Sequence, residues 1–211
     1  MALVGLYITT LLMLSKSCIA SPSPSPTHLM RVKSYIEAQC KGTQYPITCI
    51  QCLSNYVKET PKSPQELAHL SLEASLIRAK YAKEYVIEVA NKLKETRPKS
   101  RDYISLKDCL EQINDGMDQL RSSLQVMKTI DDQNGEANFM LQMNDIQTWL
   151  SAAWTDAATC VDGLPNLAIG GKVKAIIREK MLNVAQTSTN ALVFLDRFAS
   201  KHRITGAKTN P

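Results

Sequence analysis

Histidine is nearly absent. The three that occur, His28, His69 and His202, fall in a leader, in a helix-like stretch and in the tail. So few leave a histidine-based triad or a zinc cluster without enough parts. The chain has no H-E-x-x-H, G-x-S-x-G or P-loop signature, and Gly170-Gly171-Lys172 lacks both the upstream glycine and the following Ser or Thr. Acid–base chemistry would fall on carboxylates alone, so the sequence reads as a non-enzyme with no metal and no cofactor. Aromatic residues are only 6% of the chain and the basic residues are scattered, which disfavours a nucleic-acid partner. Glycine is sparse beyond Leu29 and no strand-like alternation persists, which argues against a sheet. No Asn-x-Ser/Thr sequon occurs, so N-glycosylation is not expected. After the first 20 residues no stretch approaches the roughly 20 apolar residues that a membrane span needs.

The N-terminus does carry an apolar run, Leu3 to Leu14, followed by Cys18-Ile19-Ala20 before Ser21. Small residues at minus three and minus one are what signal peptidase requires, so residues 1–20 read as a secretory signal cleaved after Ala20. The mature chain is then secreted and has no membrane segment. Cleavage removes Cys18 and Lys16, taking the cysteines from six to five and the formal charge from +5 to +4. What remains is one domain's worth of chain, large enough to bury a helical core that disulfides reinforce.

Residues 21–28 form a Ser/Pro-rich leader, whose alternating Ser21-Pro22-Ser23-Pro24-Ser25-Pro26 favours extended polyproline geometry. The folded domain spans 29–200, with a helical hairpin over 29–60 and four long helices over 63–200; residues 201–211 are a polar tail expected to fray. In the hairpin, the turn segment Cys40-Lys41-Gly42-Thr43-Gln44-Tyr45-Pro46 separates two short helices. Ser63-Pro64-Gln65-Glu66 then spells a helix start: a capping serine, proline at the first helical position and glutamate at the third. Leu67, Leu70, Ala74, Ile77 and Tyr81 form the first expected seam. The next runs through Leu106, Leu110, Ile113, Met117, Leu120, Leu124 and Met127, and the third through Phe139, Met143, Ile146, Leu150, Ala153 and Ala157. Val173, Ile177, Val184, Ala191, Leu195 and Phe198 make the last. Short connections between long helices favour antiparallel neighbours. The fold class is therefore all-α, an up-down-up-down four-helix bundle with an N-terminal helical hairpin and two disulfides.

Five cysteines in an oxidising compartment make two bridges and one leftover thiol. Cys109 lies near the start of one bundle helix and Cys160 at the end of the next, ends that antiparallel packing brings together. A bond there closes a loop of about fifty residues, worth roughly 4 kcal/mol in the chain-entropy model. In the hairpin, Cys40 pairs with either Cys49 or Cys52, and the residues alone leave both open. Cys49-Ile50-Gln51-Cys52 is a C-x-x-C, but it lacks the preceding strand of a thioredoxin-like site and the second ligand pair of a zinc site.

One charged feature has helical order. Asp108, Glu111, Asp115 and Asp118 recur at three- and four-residue spacing, beside the apolar seam, and form a stripe along one helix. Such a stripe is either a solvated face or a strip that pairs with basic and polar groups of a partner protein.

The chain resembles the plant invertase and pectin methylesterase inhibitor family. The matching phrases are the Cys40 to Pro46 turn with Cys49; Leu106-Lys107-Asp108-Cys109-Leu110-Glu111 running into Asp118-Gln119-Leu120-Arg121-Ser122-Ser123-Leu124; Gln147-Thr148-Trp149-Leu150-Ser151-Ala152-Ala153; Thr159-Cys160-Val161-Asp162-Gly163; and Thr189-Asn190-Ala191-Leu192. They stand in family order over nearly all of the mature chain. The resemblance implies bridges Cys40 to Cys49 and Cys109 to Cys160. Cys52 departs from the family pattern as an extra free thiol, which stays unpaired in a monomer, scrambles the first bridge or links a dimer. It implies an extracellular protein of the apoplast and cell wall that docks beside a target enzyme's substrate cleft and blocks it without chemistry. It also implies partner contacts from Glu111, Asp115, Asp118 and Thr159. Trp154 stands where leucine is expected and Leu164 where phenylalanine is usual. The acidic row and the Thr148 to Ala153 phrase favour pectin methylesterase as the target. Invertase is the alternative, and no Pro-Lys-Phe element of invertase inhibitors is present. A carrier of small apolar ligands is the reading from a different class, and it requires a sizeable internal cavity.

Overall fold

In the computed structural model, residues 26–130, 135–164 and 170–209 are described, with side chains up to His202. The expected signal over 1–20 and the expected leader up to Ser25 lie outside them. Two short helices, α1 (Pro26–Cys40) and α2 (Pro46–Tyr56), precede four long ones: α3 (Pro64–Thr96), α4 (Arg101–Thr129), α5 (Glu136–Gly163) and α6 (Gly171–Thr209). Among the described residues the ordered elements are all helices.

The long helices pack as a ring, α3 on α4, α4 on α5, α5 on α6 and α6 back on α3, and among the described residues the diagonal pairs make no contact. That closure is the up-down-up-down bundle, and the hairpin lies on it through α2, which touches α3 and α6. The α4 and α5 seams are buried as their periodicity predicts, except that Leu110 is half-buried: Leu106, Ile113, Met117, Leu120, Leu124 and Met127 on α4, and Phe139, Met143, Ile146, Leu150, Ala153 and Ala157 on α5. Each large side chain so buried contributes about 1.5–3 kcal/mol.

The seam of α3 follows the expected one at Leu67 and Ala74, which are buried, and departs from it elsewhere. Tyr81 is 56% exposed, and Leu70 and Ile77 are half-buried. The buried face carries Leu67, Ala68, Ser71, Leu72, Ala74, Ser75, Ala79, Ala82 and Val86. Small side chains let neighbouring helices approach closely, and the two serines among them are satisfied internally: Ser71 Oγ donates to the Ala68 carbonyl at 2.7 Å and Ser75 Oγ to that of Ser71 at 3.0 Å.

The Ser63 cap holds, accepting the Glu66 N–H at 3.1 Å, while the Glu66 carboxylate accepts the N–H of Lys62 at 2.6 Å. Ser100 caps α4 in the same way through the Tyr103 N–H at 3.2 Å. Two ends shift from expectation. The first helix begins at Pro26, inside the expected leader, where a proline is favoured in the opening turn. The last continues past Lys201 to Thr209, where a frayed tail is expected. The His202 ring stacks on Phe139 of α5 with centroids 3.8 Å apart, which ties that extension to the bundle.

Candidate functional site

The bridges are Cys40–Cys49, with Cα atoms 5.7 Å apart, and Cys109–Cys160, with Cα atoms 4.3 Å apart. The first resolves the choice within the hairpin and leaves Cys52 as the free thiol. Its side chain is 4% exposed, and its sulfur accepts a hydrogen bond from Arg78 Nε at 3.2 Å. Burial pushes the Cys52 thiol above its ordinary pKa, and the nearby Arg78 guanidinium opposes that only in part. A buried, protonated thiol is a poor nucleophile, and pairing with a second chain would require the hairpin to open.

The second bridge joins the start of α4 to the end of α5 and sets the register of two outward faces. On α4, Cys109, Ile113, Met117 and Leu120 point inward, so Asp108, Glu111, Asp115 and Asp118 all stand exposed. Asp118 is tied to Arg121 one turn on. Asp108, Glu111 and Asp115 form no ion pair with a described residue.

On α5, the positions opposite the buried seam carry hydroxyls. Thr148, Ser151, Thr155 and Thr159 are exposed, and each donates to the carbonyl four residues back, at 2.8, 2.8, 3.1 and 2.9 Å. With its proton held by the backbone, each hydroxyl turns oxygen lone pairs outward. Thr159 was expected in the site; the other three extend it into a row that their three- and four-residue spacing could have revealed.

Asp156 is a further member that the sequence does not single out. It packs against α4 at Gly116, where a β-carbon would meet the Ala153 carbonyl oxygen and Asp156 Cβ and Oδ2, each at 3.5 Å. Partial burial raises the Asp156 pKa, and the charge of Asp115 raises it further. The two faces together are thus rich in carboxylates and acceptor oxygens, which suits a partner bearing lysine, arginine or amide donors. Trp154, 47% exposed, adds an apolar group to α5.

Among the described residues no cluster of three His, Cys, Asp or Glu side chains is placed to hold a metal ion, and no helix is long and apolar enough to cross a membrane. A small space between α2, α3 and α6, walled by Cys49, Cys52, Leu53, Ser71, Ala74 and Phe194 among others, has a volume of about 10 Å³. That is about what one water occupies, roughly 10–15 Å³, and this space gives an apolar ligand no room.

Residues 34–194 of the chain match the model of the family "Plant invertase/pectin methylesterase inhibitor". The chain belongs to that family. It is 38% identical to pectinesterase inhibitor 9 of Arabidopsis thaliana, over 93% of this chain and 96% of that protein. It is 36% identical to the 21 kDa protein of Daucus carota, over 88% of this chain and 91% of that one. Among solved structures, a mutant form of a pectin methylesterase inhibitor from Arabidopsis has the same fold, with a TM-score of 0.58 and 15% identity over 77% of this chain and 96% of that one.

Proposed function

We propose that this chain is a secreted, extracellular protein inhibitor of pectin methylesterase, acting as a monomer that binds the enzyme stoichiometrically and covers its substrate cleft. The observation that carries the reading is the pair of exposed rows, carboxylates on α4 and hydroxyls on α5, held in one register by Cys109–Cys160. Glu111, Asp115, Asp118 and Thr159 make the principal contacts. A rigid surface of this kind binds without a large ordering cost, and no bond need be made or broken in the target.

The relatives point the same way, since pectinesterase inhibitors 9 and 11 of Arabidopsis thaliana align over 93% of this chain each. The second target class is invertase, which the family also names. Activity assays of both enzymes with the purified, oxidised protein separate the two. Inhibition of the methylesterase alone supports the proposal, and inhibition of invertase alone reverses the choice of target.

A further inference from the structure

A cleft at one end of the bundle gathers positive charge that the docking faces do not use. Its walls include Arg101 at the start of α4, Asp162 and Leu164 at the end of α5, and Lys174 and Arg178 in the first turns of α6, and its volume is about 510 Å³. That size falls within the range of small-ligand pockets. Lys174 Nζ donates to the Leu164 carbonyl at 2.9 Å, which places an ammonium against the negative end of the α5 dipole. Arg101, Arg178 and Asp162 are exposed, and none of them forms an ion pair with a described residue. Among the described residues that line it, three cations thus share the cleft with a single carboxylate. Guanidinium forks match carboxylates with two parallel hydrogen bonds, and the two here come from different helices.

We propose that this cleft binds the carboxylates of an unesterified uronic-acid oligomer. The choice of ligand rests on the methylesterase reading. Removal of methyl esters from a polyuronide leaves one carboxylate on each unmasked sugar, so the product is a chain of evenly spaced anions. The cleft follows directly on Thr159 and Cys160 along α5. An inhibitor docked through that face therefore presents its cationic cleft to the same acidic chain, and product already formed strengthens its hold on the wall.

Calorimetric titration of the oxidised full chain with a short oligogalacturonate of defined length tests this without any enzyme present. The acid oligomer binds, its methyl-esterified counterpart binds at least about tenfold more weakly, and inorganic sulfate at matched charge binds more weakly too. Arg178→Gln lowers affinity for the acid oligomer about tenfold and Arg101→Gln with Arg178→Gln further, as expected for charge-assisted hydrogen bonds. Lys58→Gln with Lys128→Gln removes the same charge from exposed positions outside the cleft and leaves affinity unchanged. Equal binding of acid and ester, equal binding of sulfate, undiminished binding by the arginine variants, or an equal loss in the lysine control overturns the proposal. Because inhibition is assayed separately, a chain that binds the oligomer but leaves the methylesterase active refutes the inhibitor reading and not this one.

Discussion

The side-chain amide of Asn190 on α6 closes two hydrogen bonds with one backbone unit of Tyr45, 145 residues away: its oxygen accepts the Tyr45 N–H at 3.0 Å and its nitrogen donates to the Tyr45 carbonyl at 2.9 Å. Asn190 is 3% exposed, so the pair fastens the hairpin turn to the bundle from inside. Asn190→Ala leaves both Tyr45 groups without their partner, and each such loss costs about 1–3 kcal/mol. Denaturant unfolding should show a destabilisation of about 2–4 kcal/mol, whereas a change under 1 kcal/mol would mean that water or another group replaces the amide.

Asp115 and Asp118 differ in their surroundings, and their roles in docking should differ accordingly. Asp118 already shares its charge with Arg121, while Asp115 has no ion pair with a described residue. Asp115→Asn is expected to slow association with the enzyme more than Asp118→Asn. Like charges placed across an interface cost several kcal/mol, so Asp115→Lys with Asp118→Lys should weaken inhibition by about a hundredfold or more at unchanged helicity by circular dichroism. Unaltered inhibition by the double variant would reduce the row to a solvated face.

Asp156 carries a pH signature. Its folded-state pKa lies above the ordinary value because burial, and then Asp115, disfavour the ionised form. A raised carboxyl pKa contributes stability that is fully present below the ordinary aspartate range and is lost as pH rises through the folded-state value. Asp156→Asn should therefore raise the unfolding midpoint relative to the parent at about pH 7, with the gain vanishing below about pH 3.5. A gain of equal size at both pH values would assign it to something other than ionisation.

Cys52 should be silent in the native state. Buried and hydrogen-bonded to Arg78, it is expected to react with a thiol reagent only on denaturation, and the protein to run as a monomer without reductant. Rapid native labelling, or a reducible dimer abolished by Cys52→Ser, would contradict its placement.

The bundle was legible where large apolar residues recur in unbroken three- and four-residue steps. Phe139, Met143, Ile146 and Leu150 keep that step, and their burial follows the pattern although Leu141 and Trp154 stand exposed on the same helix. In α3, apolar residues lie on several faces, and the buried one is marked by alanine and serine; Ser71 and Ser75 look like surface residues until their hydroxyls are traced to backbone carbonyls. The acidic row of α4 was visible because its order is local. Asp156 was not, since what sets it apart is a neighbour on another helix. The same holds for Asn190 and Tyr45, whose bond has no signature at short range. Spacing alone permits two bridges in the hairpin; the family resemblance chose Cys40 to Cys49, and the folded positions bear that choice out.

Titration of the oxidised protein into a fixed amount of pectin methylesterase is the most direct measurement of the central claim, that a disulfide-locked pair of helix faces occludes the enzyme. Activity should fall linearly to a plateau at one inhibitor per enzyme, and the Asp115→Lys, Asp118→Lys variant should shift or abolish that fall. Full activity at a large molar excess of folded protein would contradict it.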